Sequence, residues 1–298
     1  MQFLKIGPDA RGAGMSGTFH SVVNDVSALY WNPAGITHAD TQRYQMQFGQ
    51  TQYFAKVRMS YGGFVYRASP YRFWGFHLID LHTQDMPVTT EWAPMGTGQT
   101  YRVNNTALGI SYAQVLTDNF SFGLTGKYAY EGIAGINTHN VLFDLGLQYY
   151  VGWQDIRFSV GLNNFGINVQ PTGTIKILSL RGEEEKNSFE SFSAPALFRV
   201  GVAKDFINKN DHLITGAVQL NHPTDNNETF GLGAEYSFKK RFFARSGYEF
   251  GQDEKGWPSL GAGVKWQRYF GNLQLDYSIN NKRNLGNIHR ITLGISLK

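Results

Sequence analysis

Apolar and polar residues alternate with period two along most of the chain, the pattern of strands with two unlike faces. In 141–150, VLFDLGLQYY, one face carries Val141, Phe143, Leu145, Leu147 and Tyr149, and the other Asp144, Gly146 and Gln148. In 229–238, TFGLGAEYSF, an apolar face of Phe230, Leu232, Ala234, Tyr236 and Phe238 opposes Gly231, Gly233, Glu235 and Ser237. The same alternation runs through 273–279 and 291–297. About fourteen strands follow, most of them roughly nine to thirteen residues long. They lie near 42–50, 55–67, 71–83, 104–116, 119–131, 139–151 and 155–163, then 196–207, 211–221, 227–238, 241–250, 259–268, 272–280 and 288–297. Such lengths exceed the usual globular strand and match a tilted bilayer crossing.

The links support that reading. Short ones at 68–70, 117–118, 152–154, 208–210, 239–240 and 269–271 alternate with longer ones at 84–103, 132–138, 164–195, 222–226, 251–258 and 281–287. Outer-membrane barrels sort their loops in this way, whereas a soluble β-sandwich, the competing class, has no reason to. An even strand count places both termini on the short-turn, periplasmic side. Aromatics near strand ends, among them Tyr149, Trp153, Phe206, Trp266 and Tyr269, fit interfacial girdles. The faces opposite the apolar ones are rich in Gly and mixed charge. They provide lumen-facing candidates at Asp144, Arg157, Arg199, Glu235, Arg245, Lys265 and Asp276, with Lys127, Glu249 and Arg290 beside them. The expected fold is an all-β, fourteen-stranded antiparallel transmembrane β-barrel.

Composition narrows the alternatives. Charged residues are 17% and aromatics 15%, a balance suited to large aromatic surfaces. The chain has no cysteine, which removes disulfides, thiolate metal sites and a Cys nucleophile. A net charge of +4 with only short basic clusters is too little for a nucleic-acid footprint. The start MQFLKIGPDA lacks the apolar core of a secretion signal, so a mature chain is expected.

Residues 1–41 precede the first strand and read differently. Gly12, Gly14 and Gly17 suggest a flexible, close-packing stretch over 11–17. Asn24 or Asp25 is placed to cap a short helix over 25–31, which Pro33 ends while holding Asn32 extended. On these residues alone the segment is either a cap on one barrel end or a plug inside the lumen.

The block ARGAGMSGTFHSVVNDVSALYWNPAGI (10–36) resembles the N-terminal signature of FadL-type outer-membrane proteins, and more closely the PorV/PorQ branch. The shared marks are Arg11, Gly12, Gly14, Gly17, Asp25, Ser27 with Ala28, and Asn32-Pro33-Ala34. The resemblance implies that 1–41 is a lumenal hatch containing a short helix, and that 42–298 forms the barrel with it as one structural domain. It implies a bacterial outer-membrane protein, an accessory or docking component of type IX protein secretion. Its partners would be outer-membrane lipid and a larger secretion channel or a secreted protein. The alternative is a FadL-like channel for hydrophobic small molecules, with an irregular early strand that opens sideways. The residues of 71–83, apolar on both faces, favour a strand packed between lipid and the hatch.

No catalytic or cofactor motif emerges, and no enzyme activity, metal or cofactor is expected. There is no H-E-x-x-H, G-x-S-x-G or phosphate loop. His77 and His82 fall on opposite faces of one strand, while Asp80 and His82 share a face. The acidic run Glu183-Glu184-Glu185 reads as a solvated loop. The long links carry Met86, Trp92, Met95, Phe189 and Phe192, candidates for contact with a protein or a hydrophobic ligand, or for folding over the barrel mouth.

Overall fold

In the computed structural model, which describes residues 1–40, 42–179, 182–251 and 256–297, fourteen antiparallel strands close into a barrel. They are β1 Tyr44–Gln52, β2 Arg58–Arg67, β3 Arg72–His82, β4 Val103–Thr117, β5 Phe120–Ile133, β6 Ile136–Val151 and β7 Ile156–Gly166. β8 Leu197–Lys209, β9 His212–Pro223, β10 Thr229–Phe238, β11 Phe242–Phe250, β12 Ser259–Arg268, β13 Gly271–Lys282 and β14 Gly286–Leu297 complete the wall. Each strand pairs with its sequence neighbour, and β1 pairs with β14 from Tyr44↔Leu297 to Gln52↔His289. Closure leaves no open edge, so every strand finds partners for its backbone groups on both sides, as a hydrocarbon surround demands.

The outward face carries the apolar residues. Phe48, Trp74, Phe76, Ile110, Val141, Phe143, Phe158, Leu260 and Ile291 are exposed on the barrel exterior. Buried Lys127, Asp144, Arg199, Glu235, Arg245 and Asp276 alternate with them and point inward. This apolar-out, polar-in arrangement is the reverse of a soluble barrel and defines a transmembrane one.

Three expectations need correction. The link predicted over 132–138 is a two-residue turn, Ala134-Gly135, with φ of +49° and +87°, so β5 and β6 run on as one long hairpin. Likewise 281–287 shrinks to three residues between β13 and β14, whereas 83–102, 167–196 and 251–258 remain long connections. Hydrogen bonding extended the strands past the point where the alternation fades. The acidic run is not a loop: Gly182–Lys186 pairs with Ile175–Ser179 in a small hairpin. β3 pairs without interruption to β2 over 73–82 and to β4 over 72–82. The C-terminal Lys298 lies outside the described residues.

Ahead of β1 the chain is compact rather than flexible. Helix α1, Ala10–Gly14, starts at Asp9, whose side chain accepts from Gly12 N at 2.7 Å. Helix α2 is a single turn, Ala28–Trp31, shorter than the predicted 25–31. Asp25 does not cap it directly; its Oδ1 accepts from the amide of Ser27 at 2.9 Å and so turns the chain into the helix. Asn32 is extended (φ −153°, ψ 104°), as the following proline requires, and its Oδ1 accepts from Ala34 N to start a 3₁₀ turn over Pro33–His38.

Candidate functional site

Residues 1–40 are held from all around the wall, which places them inside the barrel. Ala10 N donates to Thr292 Oγ1 on β14 at 2.8 Å, and Asn280 Nδ2 on β13 donates to Ala13 O at 2.8 Å. Ser16 Oγ and Ser259 Oγ on β12 share a 2.6 Å hydrogen bond. Gln219 Oε1 on β9 accepts from the amides of Phe19 and His20, and His20 Nδ1 meets Ser159 Oγ on β7 at 2.8 Å. Tyr61 Oη on β2 donates to Val26 O at 3.2 Å. Met15, Phe19, Val23, Leu29 and Ile36 of this segment are fully buried, as are Val65 and Leu142 on the wall.

The wall carries glycine where the segment approaches it most closely. A Cβ on Gly247 would lie 2.2 Å from the Met15 carbonyl carbon, and one on Gly123 2.3 Å from that of Pro33. On Gly146 it would lie 2.0 Å from Asn32 Oδ1, and on Gly161 2.2 Å from His20 Nε2. Gly123, Gly146 and Gly161 are paired across β5, β6 and β7, so together they form a trough for His20 and Asn32-Pro33-Ala34. Gly233 and Gly247, paired across β10 and β11, receive Met15. Gly14 approaches Gly261, whose Cβ would stand 3.1 Å from the Gly14 Cα. These contacts explain the glycine-rich inner face: side chains there would occupy the volume of the segment.

Trp31 organises the segment from within. Its ring lies against Gly7, Gly12 and Gly17, its Nε1 donates to Asp9 Oδ1, and the Arg199 guanidinium stands 5.3 Å from its ring centroid. Gly17 has φ +77°, a conformation that leaves room for the turn after α1 and favours glycine. Burial pushes the Asp9 carboxyl up to about 6, against the opposing hydrogen bond from Gly12. Burial drives His20 well below the usual histidine range, with Arg199 adding to the effect, and takes His38 down to about 4.

A buried charge chain joins segment and wall. Arg11 Nε and Nη2 donate to the two oxygens of Glu235 at 2.9 Å each, and Nη1 donates to Asp25 Oδ2 and Asn24 Oδ1 at 2.7 Å each. Arg245 links Glu235 to Asp276 through bonds of 2.6 Å to each. Burial disfavours the charge on Arg11, but Glu235 and Asp25 outweigh it and raise its pKa well above the ordinary value. The other lumen-facing candidates are also engaged. Asp144 pairs with Lys127 at 2.8 Å, Arg199 donates to Asn163 at 2.9 Å, Arg157 pairs with Asp205 at 2.5 Å and Lys265 with Asp40 at 3.3 Å.

Two cavities flank the segment. One of about 560 Å³ opens toward the long loops, lined by Ser16, Gly17, Trp31, Tyr53, Arg199, Trp257 and Arg290 among others. A second, of about 440 Å³, faces the short turns, lined by Arg11, Asp25, His38, Arg157, Glu235 and Lys265 among others. Helix α1 and the turn after it stand between them, since Arg11 lines one and Ser16 and Gly17 the other.

The loop candidates are dispersed. Trp92 and Met95 are 80% and 98% exposed, Phe192 is bridged to Val169, and Met86 and Phe189 are half-buried. His77 faces inward and buried, while His82 lies outside against Asp80 at 3.0 Å. Among the described residues no cluster of three His, Asp or Glu is placed to hold a metal ion. Asp9, His20, Gln219 and Asn280 were not anticipated as site residues. Asp9 carried a usable signal, an acidic residue directly before a short Ala-Arg-Gly-Ala run.

Together these features define the class: a fourteen-stranded transmembrane β-barrel with its N-terminal segment packed against the inner face of the wall. The fold is similar to that of the Ralstonia pickettii toluene transporter TbuX, with TM-score 0.66 and 14% identity over 98% of both chains. It is also similar to the Pseudomonas putida toluene transporter TodX, with TM-score 0.66 and 12% identity over 97% of this chain and 96% of that one. A Pseudomonas aeruginosa FadL homologue matches with TM-score 0.59 and 11% identity over 97% and 98%. The barrel is thus FadL-like in fold. No family model and no curated protein sequence matches the chain.

Proposed function

We propose that the chain is an outer-membrane channel of FadL type that carries hydrophobic small molecules, with residues 1–40 as its hatch and the long loops facing outward from a periplasm that holds both termini. The observation that carries this reading is the pair of cavities separated by α1 and the turn after it. The one on the long-loop side has the size of a small-molecule site, and Tyr53 and Trp257 line it together with Arg199 and Arg290. A short, glycine-bedded element between two cavities can be displaced without opening the wall. The fold neighbours TbuX and TodX, named as toluene transporters, support the substrate class. Uptake of a panel of monoaromatic and aliphatic hydrocarbons by a deletion strain tests it. Slowed uptake restored by the chain is expected, and unchanged uptake across the panel contradicts it.

A second reading, a PorV-like docking barrel of type IX secretion, rests on the N-terminal block 10–36 and on the exposure of Trp92 and Met95. It predicts that a larger outer-membrane protein co-purifies from native membranes and is lost in the Trp92→Ala, Met95→Ala double variant. Unchanged co-purification in that variant, or none with the parent chain, contradicts it.

A further inference from the structure

The apolar belt around the barrel is not of even depth. Counted from the short-turn side, β6 presents five successive apolar residues outward: Tyr149, Leu147, Leu145, Phe143 and Val141. β7 presents four, Phe158, Val160, Leu162 and Phe165, stepping across its irregularity at Asn163 and Asn164, and exposed Ile167 follows directly after its end. On β1 the run stops after three, Tyr44, Met46 and Phe48, and on β3 after Trp74, Phe76 and Leu78. Beyond these runs the next outward position on four consecutive strands is polar. Gln50, Ser60, Asp80 and Thr106 are paired side by side across β1 to β4. Ser60 Oγ donates to Gln50 Oε1 at 3.0 Å, and Thr106 Oγ1 to Asp80 Oδ1 at 3.2 Å. The next row up is Gln52, Arg58, His82 and Asn104.

These side chains face out of the barrel, because the residues between them, Thr51, Met59, Tyr61, Ile79, Leu81, Asn105 and Ala107, are buried inward. With a rise of ~3.3 Å per residue and a tilt of about 40°, three outward positions span ~10 Å of height and five span ~20 Å. Beside β6 and β7 the wall thus approaches the ~25 Å band of a membrane barrel, and beside β1 to β4 it falls far short. A hydrocarbon layer of even thickness would cover a carboxylate, an imidazole and a guanidinium on the short side.

We propose that the leaflet on the long-loop side is thinned beside β1 to β4, so that its polar headgroups and water descend to the row Gln50–Ser60–Asp80–Thr106. Ionic and amide groups are costly against acyl chains, whereas local thinning costs little per ångström of mismatch. Headgroups and water fit the patch because it carries both signs and several amides and hydroxyls, with no apolar anchor at its centre. The inference rests on the transmembrane barrel alone and is independent of what the lumen carries.

The absence of cysteine makes the test direct. Single variants Ser60→Cys and Thr106→Cys sit in the polar row, and Phe143→Cys sits within the apolar run of β6. Folded barrels, selected by heat-modifiable gel mobility, are reconstituted in phosphatidylcholine vesicles. They are reacted with a membrane-impermeant maleimide, with Met95→Cys as the fully exposed reference. Ser60→Cys and Thr106→Cys are expected to react at least about tenfold faster than Phe143→Cys, because only they stand in water-bearing headgroups. Equal protection of all three overturns the proposal. Rapid reaction in vesicles but protection in native membranes also overturns it, in favour of a polar protein partner on this face.

Discussion

Arg11 in the N-terminal segment and Glu235 on β10 form a two-pronged ion pair, Nε to Oε2 and Nη2 to Oε1, both at 2.9 Å. The pair ties the element that separates the two cavities to the barrel wall. Planar, two-point pairing of this kind fixes direction as well as distance, which a lysine could not do. Because Arg245 binds the same carboxylate and then Asp276, the segment is joined to a charge chain that crosses β10, β11 and β13.

Glu235→Ala should loosen the segment. It leaves Arg11 and Arg245 in a buried site with less counter-charge, a loss on the order of 3–5 kcal/mol. The barrel's own strand pairing is untouched, so the expected result is rapid tryptic cleavage after Lys5 and Arg11 with the barrel still folded on gels. Cleavage at the parental rate would show that the pair does not hold the segment.

The glycine bed predicts a sharp contrast between positions in the same kind of strand. Gly247→Val puts a branched side chain where Met15 backbone lies and should expel the segment from its seat. Gly126→Ala on β5 meets nothing within 4 Å and should be neutral or stabilise the strand by about 0.5–1 kcal/mol. Limited proteolysis of residues 1–40 and the unfolding midpoint in denaturant distinguish the two outcomes.

Acid should loosen the segment, with Asp9 acting as a partial brake. His38 falls from 6.5 to about 4 and burial also drives His20 well below its ordinary value, so the stability they contribute is present above about 6.5 and lost as pH drops. Asp9 rises from 3.8 to about 6, so its contribution is present below 3.8 and lost as pH climbs through 6. Between pH 6 and 4.5 the two histidines and the aspartate therefore act in opposite directions. Asp9→Asn removes the opposing one and should steepen the acid-induced rise in protease access to the segment. A shallower pH profile in this variant would contradict the assignment.

Much of this was legible in the sequence. Period-two alternation located the fourteen strands because inside and outside impose opposite demands on neighbouring residues, and the inward charges Asp144, Glu235, Arg245 and Asp276 were readable from the same parity. The short 134–135 turn was not, since Glu131 to Thr138 lacks the alternation that marks a strand embedded in lipid. The partners of Arg11 were also illegible. Glu235 lies 224 residues away, and nothing local in either neighbourhood encodes the register that joins them. The glycines of 11–17 suggest both freedom and close packing, and against Trp31 and Gly261 it is close approach that they provide. The polar row on β1 to β4 was hidden for a related reason, since comparing heights between strands needs the pairing register.

The most direct test of the central claim, that the segment must move for cargo to pass, uses the hydrogen-bonded pair Ser16 and Ser259. In a chain without cysteine, Ser16→Cys with Ser259→Cys places two thiols across the junction of segment and wall, where oxidation links them. Hydrocarbon uptake by cells carrying this double variant is measured oxidised and after reduction. The account predicts uptake at the level of the deletion strain when oxidised, recovering to that of the parent chain on reduction. Equal uptake in both states, with the disulfide confirmed by mass, would contradict it.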